Sequence, residues 1–192
     1  MDLTEKIRNV VSQMEMLNKD EVEIIIDKTI ADSFKKGTVL LREGQIPKKC
    51  YMVVEGCVRE YILKDGEDIS TGFFVEGDTF TPNSQKSEPS KYYWECLEDC
   101  VLTISDKNFE EEIRAALPRL DAVFQEIAIQ KINKSKEELS QFMSSSPEER
   151  YLNLLETKPH LINRVSQHQI ASYLGIKPQS LSRIRKRLIS KK

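Results

Sequence analysis

The stretch Ser166-Gln-His-Gln-Ile-Ala-Ser-Tyr-Leu-Gly-Ile-Lys-Pro-Gln-Ser-Leu-Ser-Arg-Ile-Arg-Lys-Arg-Leu188 reads as two helices joined by a tight turn. Ser166 suits the N-cap of the first helix. Ile170, Ala171 and Leu174 form its inner face, and Gly175 stands where a helix end asks for left-handed backbone. Ile176 fills the space beneath the turn, and Pro178 opens the second helix at its first position. Leu181, Ile184 and Leu188 recur at helical spacing and point back into a core. Gln179, Ser182, Arg183 and Lys186 are then left on the outer face. Helix, glycine turn and helix with a basic polar face is the helix-turn-helix arrangement, which reads a DNA major groove.

The side chains fit that use. A groove about 12 Å wide admits one helix, and a guanidinium reaches guanine O6 and N7 with two hydrogen bonds. Arg183 is placed for that contact, one turn beyond the helix start. Gln179, with Ser180 and Ser182 beside it, can meet adenine or a neighbouring base. Lys177, Arg185, Lys186, Arg187, Lys191 and Lys192 supply phosphate attraction, which is salt-sensitive and blind to sequence. Ser166, Gln167 and His168 open the first helix, whose N–H groups favour a phosphate. Singly, each of these is as readily a solvated surface residue; the arrangement carries the assignment.

Charge along the chain agrees. The net charge is -2, yet no acidic residue follows Glu156, and residues 157–192 hold nine basic ones. The rest of the chain carries the other twenty basic and all thirty-one acidic side chains. A basic tail on an acidic body points to a polyanion, either nucleic acid or an acidic membrane surface, with a merely solvated tail as the plain alternative. Membrane docking fits poorly, because the second helix offers only Leu181, Ile184, Leu188 and Ile189 as apolar anchors. No apolar run reaches the roughly 18 residues of a membrane span. Met1 to Asn9 lacks the apolar centre of a signal peptide, so a cytoplasmic protein is expected. No nucleophile elbow, phosphate loop or histidine–carboxylate metal motif is present, so no enzyme is expected.

Upstream, residues 4 to 30 read as helical, with Val10, Met14 and Leu17 in one stretch and Val22, Ile25, Ile26 and Ile30 in a second. Leu17-Asn-Lys-Asp20 is the break between them. From Asp32 to Ser105 the pattern turns to short strands: Thr38–Arg42, Cys50–Val54, Cys57–Leu63, Ile69–Val75, Tyr92–Leu97 and Val101–Ile104. Glycines punctuate them about every ten residues, which argues an antiparallel sandwich or barrel. Lys64-Asp-Gly-Glu67 is a hairpin turn. A long helix follows, starting at Asp106 or at Pro118 and ending at Met143. Its stripe of Phe124, Ala128, Ile132, Ser135, Leu139 and Phe142 suits pairing with the same helix of a second copy, or packing on its own barrel. Ser144–Glu149 marks a boundary and a helix start together, with Ser146 capping, Pro147 in the first turn and Glu149 closing a capping box. The expected division is 1–117, 118–145 and 146–192, an α+β chain. Cys50, Cys57, Cys96 and Cys100 match no zinc spacing and read as structural thiols; a cluster built from all four is the less favoured alternative.

On these residues the chain resembles the Crp/Fnr family of transcription regulators. The resemblance rests on Ile170 through Lys186, on Gly37-Thr-Val-Leu-Leu-Arg-Glu-Gly44, on Tyr51-Met-Val-Val-Glu-Gly56, and on Glu76-Gly-Asp-Thr-Phe80. It implies an N-terminal antiparallel β-roll (a jelly roll of the cyclic-nucleotide-binding kind), a long dimerisation helix and a C-terminal winged helix-turn-helix. It also implies a homodimer on a near-palindromic duplex site, with RNA polymerase as a further partner. The departures matter. Cyclic-nucleotide-binding members carry Gly-Glu-Leu after the Gly-Asp-Phe turn and then an Arg-Ser pair for the phosphate. Here Gly77-Asp-Thr-Phe80 runs into Thr81-Pro-Asn-Ser84, and no Arg lies between Arg59 and Arg114, with Ser90-Lys91 the nearest substitute. That argues against cyclic AMP, and no cofactor is indicated in its place. The only histidines, His160 and His168, lie in the basic tail, which argues against haem. Gln179 stands where many members have Glu, so their half-site does not transfer. The alternative is a small-molecule- or partner-binding module whose tail docks on a polyanion other than DNA.

Overall fold

The structure, a computed structural model, describes residues 2–12, 17–81 and 88–190, with Lys107 described in its backbone only. Met14, Ser84, Lys191 and Lys192 lie outside the described residues. Two helices open the chain, α1 (Leu3–Val11) and α2 (Lys19–Lys28). Asn18 makes the expected break by capping α2. Its Oδ1 accepts from the Glu21 N–H at 3.0 Å, and the Glu21 carboxylate accepts from the Asn18 N–H at 2.9 Å. Such a reciprocal cap stabilises a helix by about 1 kcal/mol.

Glu21 is buried and has a second partner, the Arg119 guanidinium, whose Nε donates to Oε1 at 2.9 Å. That side-chain hydrogen bond, and after it the Asn18 N–H, holds the Glu21 carboxyl below its ordinary range. A carboxyl lowered in the folded state stabilises fully above its unfolded pKa of about 4.3, and loses that contribution as pH falls through the lowered value. Arg119→Met is therefore expected to cost stability at neutral pH, with a deficit that shrinks under acid. Urea unfolding at several pH values reads this directly, and a deficit independent of pH would remove the pair from the ledger.

Among the described residues eight strands follow: β1 (Ile30–Phe34), β2 (Val39–Leu41), β3 (Cys50–Glu55), β4 (Val58–Lys64), β5 (Glu67–Phe74), β6 (Thr79–Phe80), β7 (Tyr93–Cys96) and β8 (Cys100–Ser105). They form two four-stranded sheets, ordered β1-β8-β3-β6 and β2-β7-β4-β5, and the paired registers of β1, β3 and β6 through β8 are antiparallel. One core cluster draws on both sheets through Leu41, Tyr51, Val53, Phe80, Trp94 and Leu102. Tyr51 stacks on Phe80 at 5.3 Å, and Trp94 meets Phe80 edge-on at 5.0 Å; each such pair adds about 1 kcal/mol beyond the area it buries. Met52 and Val54, on the other face of β3, pack with Ile7, Val10, Val22 and Ile26 of the helices. Burial on both faces explains why Cys50–Val54 is a continuous apolar run rather than an alternating one.

One expectation needs correction here. Ile30 does not close the second helix. It opens β1, opposite Ile104 of β8, and is 68% exposed. Thr29 already has extended backbone at the helix end, and β8 offers the following residues a ladder of partners. Of the two starts expected for the long helix the later one holds: α4 (Leu120–Ser144) is the long helix, and a separate helix α3 (Lys107–Ala116) precedes it, parted from it at Leu117-Pro-Arg119. Asp106 caps α3, its Oδ1 accepting from the Phe109 N–H at 3.0 Å. Pro118 cannot supply the N–H that would continue the helix. Ile113, Leu120 and Val123 then form a third core cluster.

The remaining helices are α5 (Pro147–Thr157), α6 (Leu161–Arg164), α7 (Gln167–Tyr173) and α8 (Pro178–Ile189). The wing is not present: among the described residues after Ser105 no strand is formed. Between α5 and α7, where a wing hairpin could lie, Pro159 interrupts backbone pairing and the chain takes the single turn of α6. The chain divides into two compact units, residues 1–60 with 73–127, and residues 61–72 with 128–192.

Candidate nucleic-acid interface

Two helices of the C-terminal unit begin on reciprocal side-chain caps. Ser146 caps α5: its Oγ accepts from the Glu149 N–H at 3.3 Å, and the Glu149 carboxylate accepts from the Ser146 N–H at 2.7 Å. Pro147 occupies the first turn. Ser166 caps α7 in the same reciprocal way with Gln169. Tyr151, Leu154, Leu161, Val165, Ile170, Ala171, Leu174, Leu181 and Ile184 are the buried residues of this scaffold. Gly175 has φ +67 in the turn between α7 and α8, as the sequence requires.

That scaffold decides which side chains reach solvent. Leu181 and Ile184 hold one side of α8 in the core. At 100° per residue, Gln179, Ser182, Arg183 and Lys186 share an arc of roughly a quarter turn on the other side, and all four are exposed. Lys177, Gln167 and His168 are exposed as well, at the starts of α8 and α7, while Ser180 and Arg185 are half-buried. Two expected phosphate groups are already engaged. The Ser166 hydroxyl takes part in its own cap and also donates to Gln169 Oε1 at 3.0 Å. Arg187 forms an ion pair with Glu148 of α5.

Three residues with no role in the sequence reading belong to this unit's architecture. Arg150 of α5 lays its guanidinium over the Phe142 ring at 4.4 Å. Ser172 of α7 bonds to strand β5: its hydroxyl accepts from the Ser70 N–H at 3.1 Å and donates to the Asp68 carbonyl at 3.3 Å. Glu148 is the partner of Arg187. No local pattern marks Ser172 or Glu148, because their partners lie far off in sequence.

In the N-terminal unit lie Ser90 and Lys91, the nearest substitute for the Arg-Ser pair of the resemblance. A cavity of about 250 Å³ there is lined by Glu60, Ser90, Lys91 and Trp94 among others, and no described residue lining it is an arginine. Glu60 is engaged, accepting from the Trp94 indole N–H at 3.0 Å. Residues 82–87 beside it lie outside the described residues. Cys57, Cys96 and Cys100 are buried free thiols and Cys50 is half-buried. Among the described residues no group of three or more His, Cys, Asp or Glu is placed to hold a metal ion, and no helix is long and apolar enough to cross a membrane.

The phenylalanine stripe of the long helix is exposed. Phe124, Ala128, Ile132, Ser135, Leu139 and Phe142 all reach solvent on α4, with Ile132 67% exposed.

Comparison with known proteins agrees with this architecture. Residues 31–115 match the family described as cyclic nucleotide-binding domain. No curated protein matches the chain in sequence. Among solved structures, FixK2 from Bradyrhizobium japonicum is similar at a TM-score of 0.71 and 20% identity, over 85% of each chain. The c-di-GMP responsive global regulator CLP of Xanthomonas campestris is similar at 0.68 and 16%, over 91% of this chain and 93% of that one. The catabolite activator protein of Thermus thermophilus is similar at 0.58 and 16%, over 93% and 86%. At these identities what is shared is the fold: an antiparallel cyclic-nucleotide-binding-type jelly roll, a long helix and a helical C-terminal unit, which is the Crp/Fnr fold.

Proposed function

We propose that the chain is a sequence-specific transcription regulator of the Crp/Fnr type, which binds duplex DNA through α7 and α8. The observation that carries this is the outer face of α8, where Gln179, Ser182, Arg183 and Lys186 stand exposed on a capped helical scaffold. A basic polar helix face of this kind serves direct readout of base edges, with flanking lysines for the phosphates. The division of charge between residues 1–156 and 157–192 supports the same partner. A regulator of this kind acts by helping or hindering RNA polymerase at the site it occupies, and has no catalytic step of its own.

The chain acts as a homodimer on this reading. Exposed Phe124, Ile132, Leu139 and Phe142 on α4 form an apolar face that a second copy would cover. Two recognition helices would then lie about 34 Å apart and read a near-palindrome. Cyclic AMP is not the effector: the cavity assigned to it has Lys91 and Ser90 but no described arginine, and Glu60 is bonded to Trp94. Saturable heat on titration with cyclic AMP would overturn that part.

The decisive experiment is titration of the purified protein against duplexes selected from genomic fragments, at several salt concentrations. Binding should weaken steeply with salt and reach two chains per duplex. One chain per duplex would remove the dimer. Failure of any salt-dependent binding would favour the second reading, a tail that docks on another polyanion. Lys186→Ala should weaken binding alike on all sequences and lower the logarithmic salt slope by about one; an unchanged slope would take Lys186 off the list of phosphate contacts.

A further inference from the structure

α4 and α5 are joined at Ser145-Ser146, and both contribute side chains to one cleft. The cleft, of about 210 Å³, is lined by Lys134, Glu138 and Phe142 from α4, Arg150 from α5, Lys158 just past the end of α5, and Tyr173 from α7. Three cations face one carboxylate. Among the described residues none of Lys134, Arg150 and Lys158 is in an ion pair, although carboxylates are plentiful elsewhere on the chain.

Arg150 is the unusual member. Its guanidinium carbon lies 4.4 Å from the centre of the Phe142 ring, and its Nη1 lies 3.3 Å from the point where a Cβ on Gly175 would stand. Its Nε is buried and has no hydrogen-bond partner. A buried N–H of a charged group is costly to leave unmet. The fork of a guanidinium matches the oxygens of a phosphate or carboxylate, and lysines add point charge. A surplus of two positive charges suits a phosphomonoester, which carries about −1.5 to −2 at pH 7. The cleft falls below the roughly 300–1,000 Å³ that drug-sized ligands occupy, so a small ester fits and a dinucleotide does not.

We propose that the cleft between α4 and α5 binds the phosphate group of a small phosphomonoester, with Arg150, Lys134 and Lys158 as its counter-charges. Arg150 also touches the turn at Gly175, so an occupied cleft bears on the seat of α8. That consequence rests on the DNA-binding reading; the binding itself does not.

The test uses the full-length protein and isothermal titration with inorganic phosphate and with glycerol 3-phosphate, against sodium chloride at matched ionic strength. Saturable binding is expected for both phosphates and not for chloride. Arg150→Met should weaken it roughly tenfold, the loss of one charge-assisted hydrogen bond, and Arg150→Lys by less. Should Arg150→Met fail to fold, the surface pair Lys134→Met with Lys158→Met serves, and the same roughly tenfold weakening is expected. Phosphate affinity unchanged in that double variant, or heat no different from chloride, overturns the proposal. The phosphates of a duplex are the other source of the same group. If free phosphates do not bind while the double variant lowers the salt slope of duplex binding, the cleft is part of the DNA path and the proposal is wrong. Failure of the protein to bind any duplex would leave the phosphate titration standing, so the two readings fail separately.

Discussion

Gly56→Ala is expected to destabilise the N-terminal unit by about 3 kcal/mol, combining positive-φ strain with a steric clash. Gly56 has φ +107 directly after an irregularity in the β3–β8 register at Val53 and Glu55. A Cβ there would lie 2.6 Å from Cys100 Sγ, 2.9 Å from the Asp99 carbonyl oxygen and 2.9 Å from Cys100 Cα. Two of those atoms are backbone, so no rotamer relieves the clash. Either β8 moves, which opens the core around Cys100 and Leu102, or the turn gives up the Gly56 N–H bond to Glu76 Oε1 at 3.0 Å. Gly37→Ala is the internal control. It has φ +82 but nothing within 4 Å of its Cβ position, so only the backbone strain of about 1 kcal/mol applies. Urea unfolding of the two variants separates the contributions. Equal losses would show that close packing at Gly56 plays no part.

Arg183→Ala is expected to cost about 1 to 3 kcal/mol of duplex affinity and to relax selectivity at one base pair. Arg183 is exposed on the second turn of α8, beside Gln179 and away from the buried Leu181 and Ile184. A guanidinium so placed can meet a guanine edge with two hydrogen bonds, which is where base discrimination of that size arises. The contrast with Lys186 is what makes the test sharp. One variant should change the preferred sequence with little effect on the salt slope, and the other should do the reverse. Competition among duplexes that differ at single positions reads the first directly. A loss of equal size on every duplex would make Arg183 a phosphate contact, and no loss at all would take α8 out of the interface.

How much was legible beforehand differs between the two units. In the C-terminal unit nearly everything was local. Ser146 with Glu149, Ser166 with Gln169, Gly175 and Pro178 each act within a few residues of themselves, so caps and spacing place α5, α7 and α8 correctly. In the sheets, the runs of β3, β4, β5, β7 and β8 announce themselves by composition. β1 does not. Ile30-Ala-Asp-Ser-Phe34 has no alternating pattern, and is a strand because each of its residues finds a partner along β8, from Ile104 to Cys100. The wing was inferred from likeness rather than from any residue here, and it is the feature that failed.

The sequence by itself determined helices α7 and α8 with the glycine turn between them, the exposed polar and basic side of α8, the strand-rich N-terminal half and the break at Asn18, since each follows from side chains a turn or a ladder step apart. Only the tertiary structure decided that residues 61–72 group with the C-terminal unit through Ser172, that Cys100 forbids a side chain at Gly56, and that Arg150 lies between Phe142 and Gly175. The reason is that periodicity reports which face of an element is apolar, while the partner meeting that face is set by chain closure over tens of residues, which leaves no period to read.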